Sequence, residues 1–145
     1  MTSDSDPEIY PMPMFAGLEV SDVARSAEWY EDVLGFANVF QMPTLAHLRY
    51  RKYADVLLVP SETEGERERR ASGVTVSFTA EGETVAEIAE RARDADADVS
   101  GPTETSYNTR EVEITDPDGY ALAFTEPVDT SRRFEDVMGV EYENR

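Results

Sequence analysis

The chain has 145 residues and no cysteine, and its 31 acidic residues against 13 basic ones give a formal charge of -18. That length suits one domain with one core. So acidic a surface excludes nonspecific nucleic-acid binding, which needs surplus Lys and Arg facing phosphate, and without cysteine there are no disulfides and no thiol chemistry.

In chain order, residues 1–12 read as an N-terminal extension, and their polar, acidic start is unlike a signal peptide, which is basic and then apolar. Met14, Ala16, Leu18 and Val20 then alternate with Phe15, Gly17 and Glu19, which predicts a strand over 13–20. Ser21 or Asp22 caps a helix in which Val23, Ala27, Tyr30 and Leu34 recur on one face, and Gly35 stops it. Extended runs follow over Phe36 to Met42, Leu45 to Tyr50 and Asp55 to Val59. Residues 61–72 are charged and lack apolar periodicity, as a linker does. The order then repeats. A strand over 73–79 leads to Thr84-x-x-Glu87, a capping box opening a helix with Val85, Ile88, Ala89 and Ala92 on one face. Strands are predicted over 99–103, 110–115 and 120–125, the last two joined by the turn Asp116-Pro117-Asp118-Gly119. The tail over 128–145 contains a short predicted helix around Arg132 to Met138. Strand, helix and three strands thus occur twice, as modules 13–60 and 73–127.

The negative charge is spread over the modules, and Lys52 is the single lysine beside twelve arginines. Such a composition is similar to that of proteins from salt-accumulating halophiles, in which molar salt shortens the Debye length to about 3 Å and screens the self-repulsion. No apolar run nears the roughly 18 residues of a spanning helix. The expected address is the cytoplasm, with no membrane contact.

Leu18-Glu19-Val20-Ser21-Asp22, then Ser26-Ala27-Glu28-Trp29-Tyr30-Glu31-Asp32-Val33-Leu34-Gly35-Phe36, and finally Arg110-Glu111 ahead of Asp116-Pro117-Asp118-Gly119-Tyr120, resemble the vicinal oxygen chelate superfamily in order and separation. That superfamily groups glyoxalase I, extradiol dioxygenases and bleomycin-resistance proteins. The resemblance covers 13–127 and implies an α+β fold. Two βαβββ modules would form a curved, mixed, eight-stranded sheet, a cup with the helices outside, commonly in a homodimer.

It also implies metal ligands entering the cup from the first and fourth strands of each module, where imidazole nitrogen or carboxylate oxygen is required. The corresponding positions are Phe15, Leu57 or Leu58, Val74 and Ala123, and none of them can bind a metal. The neighbours Ala16, Val59, Thr75 and Phe124 are poor ligands too. We therefore expect no metal and no cofactor, and assign no catalytic residue. The expected lining of an apolar cup for a small-molecule ligand is Phe15, His47, Tyr50, Leu57, Val74, Tyr107, Arg110 and Ala123.

His47 is the only histidine, and alternation along Leu45-Ala46-His47-Leu48-Arg49-Tyr50 puts it opposite Ala46, Leu48 and Tyr50. It reads either as a base or as a structural side chain. Arg110 either pairs with Glu111, Glu113 or Asp118 or holds a ligand carboxylate. Glu19, Glu111 and Glu113 suggest an acidic rim suited to a cationic ligand. Three functional readings stand side by side. One is a metal-free protein that binds a small, partly apolar molecule, as bleomycin-resistance proteins bind a drug. Another is a metal-dependent lyase or dioxygenase. The third is a non-catalytic structural protein whose cup is filled by its own side chains, starting with Phe15.

Overall fold

Residue 8 and residues 10–61 and 73–129 are described by the computed structural model of the chain. The predicted linker beyond Ser61 and the predicted tail helix lie outside these residues. Module one runs β1 (Phe15–Val20), α1 (Val23–Leu34), β2 (Ala37–Met42), β3 (Leu45–Arg49) and β4 (Asp55–Pro60). Module two repeats it with β5 (Thr75–Thr79), α2 (Val85–Asp94), β6 (Asp98–Glu104), β7 (Thr109–Thr115) and β8 (Ala121–Pro127).

The helix ends follow the local chemistry. The Asp22 carboxylate accepts from the Arg25 backbone N–H, and Gly35 closes α1 in the left-handed region at φ 74°. Thr84 and Glu87 form the expected reciprocal capping box on α2.

The eight strands make two mixed four-stranded sheets, ordered β1-β4-β3-β2 and β5-β8-β7-β6. In each, the first strand runs parallel to the fourth and the remaining pairs are antiparallel. No ladder joins the two sheets among the described residues. The strand edges β1 and β5 border a common cleft instead. Helix α1 packs on β2, β3 and β4, α2 packs on β6, β7 and β8, and the helices touch each other.

One face of each sheet is therefore core. Leu18, Val20, Ala46, Leu48, Val56 and Leu58 are buried in module one, and Phe78, Val112, Ile114, Leu122 and Phe124 in module two. Aromatic rings carry the core across the boundary, with Phe36 edge-on to Phe78 at 5.4 Å and Tyr50 edge-on to Phe124 at 5.2 Å.

Polar contacts tie the modules as well. Asp116 folds its own turn by accepting from the backbone N–H groups of Asp118 and Tyr120, and also accepts from the Tyr30 hydroxyl at 2.7 Å. Asp118 accepts from the Ser21 backbone N–H and hydroxyl, and Tyr120 donates to the Glu19 carbonyl at 2.9 Å. The Asp-Pro-Asp-Gly turn, read from sequence as a backbone signature, is thus also the clasp between modules.

Candidate ligand-binding site

The uncovered face of module one is set by strand register. Gly17, Leu57, His47 and Phe40 lie in one row across β1, β4, β3 and β2, with Asp55 and Arg49 paired in the next. A register shift between Asn38 and Phe40 inserts Val39 into β2, so that Val39 and Phe40 both reach the same hollow. A Cβ added at Gly17 would meet nothing within 4 Å, so the row is open at its β1 end. The hollow has a volume of about 450 Å³ and an apolar floor and walls from Met12, Val39, Phe40, Leu45 and Leu57. Its polar tips are Tyr10, His47 and Arg49.

Behind the hollow, Asp55 is sealed, with its side chain 1% exposed. It accepts from His47 Nε2 at 2.5 Å, from the Tyr10 hydroxyl at 2.7 Å, and from the Arg49 guanidinium at 3.0 Å. Burial by itself raises the pKa of such a carboxyl. The bonds from Arg49, His47 and Tyr10 together outweigh it and hold Asp55 below its ordinary value. Arg49 is fixed in turn by stacking over the Tyr10 ring at 4.2 Å and by donating to the Glu8 carbonyl. Tyr10 also accepts from the Tyr53 backbone N–H at 2.6 Å. The result is a hydrogen-bonded cluster presenting one imidazole, 15% exposed, to an apolar hollow.

The sequence reading brought only part of this together. His47 and Leu57 line the hollow, and the choice between Leu57 and Leu58 is resolved, because Leu58 points into the core. Phe15 is 46% exposed and borders the neighbouring cleft of about 420 Å³, so it does not plug the site. Ala123 sits in the corresponding row of module two, between Ser77 and Glu113, and Tyr107 lies at its margin with its hydroxyl on Glu111.

Three expected lining residues lie outside this hollow. Tyr50 shares the parity of Ala46 and Leu48, so its ring packs in the aromatic core, while it also borders the neighbouring cleft with Phe15 and its hydroxyl bonds Glu83. Val74 precedes β5, 44% exposed, and Thr75 takes the uncovered-face position at the start of that strand. Arg110 lies on the parity of Val112 and Ile114, the helix side, where it pairs with Glu126, whose carboxylate also accepts from Val85 at the start of α2.

Arg49, Asp55 and Tyr10 were missed. The signal for the first two was present, since alternation puts Arg49 on the face of His47 and Asp55 on that of Leu57. None of the three glutamates of the expected acidic rim lines this hollow: Glu19 lies on β1 outside its lining, and Glu111 and Glu113 belong to β7 of module two. The positions that resemblance assigns to metal ligands carry no nitrogen or oxygen donor beyond the Thr75 hydroxyl. No group of three or more His, Cys, Asp or Glu side chains is placed to hold an ion among the described residues.

The profile of the Glyoxalase/Bleomycin resistance protein/Dioxygenase superfamily matches residues 14–124. No curated protein matches the chain. Among solved structures, the chain is similar to an integron cassette protein, HFX_CASS4, from the mobile metagenome of the Halifax Harbour sewage outfall, at TM-score 0.65 and 19% identity over 78% of this chain and 97% of that one. It is also similar to TnmS3, an antibiotic binding protein from Streptomyces sp. CB03234, at TM-score 0.61 and 20% identity over 78% and 93%. A third is the glyoxalase / bleomycin resistance protein from Catenulispora acidiphila DSM 44928, at TM-score 0.60 and 21% identity over 80% and 98%. At these identities the likeness is one of fold.

Proposed function

The chain belongs to the Glyoxalase/Bleomycin resistance protein/Dioxygenase superfamily, and from that premise we propose that it binds a small, partly apolar molecule in the module-one hollow without a metal ion. The observation that carries the reading is the hollow itself: about 450 Å³, apolar on floor and walls, with three convergent polar tips. The apolar residues Phe15, Leu57 and Ala123 at the ligand positions support metal independence, since none offers a lone pair to a cation. An antibiotic binding protein of the same fold supports the choice of a small molecule over a macromolecule. The charge of -18 supports the same choice against nucleic acid.

The reading includes a homodimer in the cytoplasm. Exposed Met14, Phe15, Phe40 and Met42 and the outer edges of β2 and β6 are surfaces that a second copy would cover. Light scattering in molar KCl that finds only monomer contradicts that part. The binding reading is tested by dialysing the protein against chelator and titrating it calorimetrically with 4-nitroanisole, a flat, uncharged aromatic probe. Saturable binding at one site per chain, unaffected by chelation, is the expected outcome. Absence of binding, or binding that needs an added divalent cation, overturns it.

A further inference from the structure

Resting on the reading that the hollow holds a small molecule, we propose that its ligand carries an acidic hydroxyl, phenolic or enolic, and that His47 accepts the proton of that hydroxyl on binding.

Ionised, the Asp55 carboxylate is an acceptor only, so the hydrogen in its 2.5 Å contact with His47 Nε2 belongs to the imidazole. In the neutral ring the lone pair then resides on Nδ1. No described residue hydrogen-bonds to Nδ1, although every other polar tip of the hollow is engaged: Tyr10 with Asp55 and Tyr53, Arg49 with Asp55 and the Glu8 carbonyl. Among the described residues, the imidazole Nδ1 is thus the uncommitted polar side-chain atom of the hollow, a proton acceptor on a ring fixed in orientation by a buried carboxylate. An imidazole placed this way among Phe40, Leu45 and Leu57 suits a molecule that brings one donor and an apolar body.

The charges agree with that choice. The groups facing His47 are Asp55 on β4, Arg49 on β3 and Tyr10 on the preceding segment, with the Lys52 and Glu8 ion pair at 3.2 Å farther out. With imidazole neutral, Arg49 and Asp55 cancel. When a neutral hydroxylic ligand enters, its O–H bond breaks, an N–H bond forms at Nδ1, and the electron pair stays on oxygen. The new phenolate is balanced by the new imidazolium, while Asp55 stabilises that imidazolium as it is formed. No net charge is buried and no oxidant or reductant is needed. A cationic ligand finds no free carboxylate, because the oxygens of Asp55 are occupied from three sides.

The test compares 4-nitrophenol with its methyl ether, 4-nitroanisole, at neutral pH, and reads the phenolate absorption band of the bound phenol against that of the free phenol at the same pH. The expected result in the native protein is preference for the phenol, with a phenolate band in excess of the free phenol's as it binds. In His47→Gln the band is lost and the preference for the phenol over the ether falls by about tenfold or more. Asp55→Asn removes the orienting carboxylate and is expected to lose the band as well. If that variant does not fold, His47→Gln decides. Equal affinity for the two probes, or a band that survives in His47→Gln, overturns the proton transfer and leaves the binding reading intact. Failure of the native protein to bind 4-nitroanisole overturns the binding reading and, with it, the proton transfer.

Discussion

Asp55 is the residue on which the candidate site hangs, since it joins β4, β3 and the segment carrying Tyr10. Its removal leaves Arg49 buried without a counter-ion, and Asp55→Asn is expected to cost about 3 kcal/mol in chemical denaturation. The pH dependence carries a sign. Because hydrogen bonds from Arg49, His47 and Tyr10 outweigh burial and hold the folded pKa below the unfolded one, the stability they confer is complete above the unfolded value of about 3.9. It is lost as pH falls through the folded value. The native protein should therefore lose stability on acidification more steeply than Asp55→Asn, and parallel curves for the two would contradict the geometry.

This scale was the least legible in the sequence. His47 declared itself by being alone. Tyr10, by contrast, reaches Asp55 across 45 positions of chain, and no periodicity announces a contact made by an extended segment. Arg110 was misplaced because its partner, Glu126, serves the start of a helix, a role that strand alternation does not express.

Elements were legible almost throughout, because their signals are local. The alternation of β1, the Asp22 and Gly35 caps and the Thr84 to Glu87 capping box each act within a few residues. Val74 was the exception. The strand begins at Thr75, two residues inside the predicted 73–79, and moving from Val74 to Thr75 reverses which face a side chain joins.

The irregularity in β6 is a further feature the pattern did not show. Gly101 has φ 100° where the β6 to β7 register breaks, and a Cβ there would lie 2.8 Å from the Glu111 carbonyl oxygen. That neighbour is backbone inside a ladder, so it has no rotamer with which to move aside. Gly101→Ala is expected to lose about 1–2 kcal/mol from the backbone conformation alone, and more from the clash. A thermal melt indistinguishable from the native protein's would mean that the ladder yields freely at this point.

At the scale of the whole molecule, duplication, fold and family were legible from two motifs and their separation, since Asp116 and Asp118 bind the very helix and strand end that the first motif comprises. What the sequence withheld is the division of the eight strands into two sheets with a cleft between β1 and β5. Edge pairing depends on how the core rings settle between modules, which no local pattern encodes.

Charge acts at this scale as well. With -18 on 145 residues, screening by molar salt should stabilise the fold, and the melting temperature should rise steeply with KCl. A melting temperature that does not change from low to high KCl would count against a halophilic design.

The central claim, a small molecule held in the module-one hollow by apolar contact, is tested most directly by filling that hollow. Leu45 and Leu57 both line it from the uncovered face of the sheet, so Leu45→Trp combined with Leu57→Trp adds bulk where a ligand would lie and leaves the buried face untouched. The measurement is the 4-nitroanisole dissociation constant in molar KCl, without metal, for the native protein and the double variant at matched melting temperature. The account predicts that affinity falls by about tenfold or more in the variant. Equal affinity in the two proteins would place the bound molecule elsewhere and contradict it.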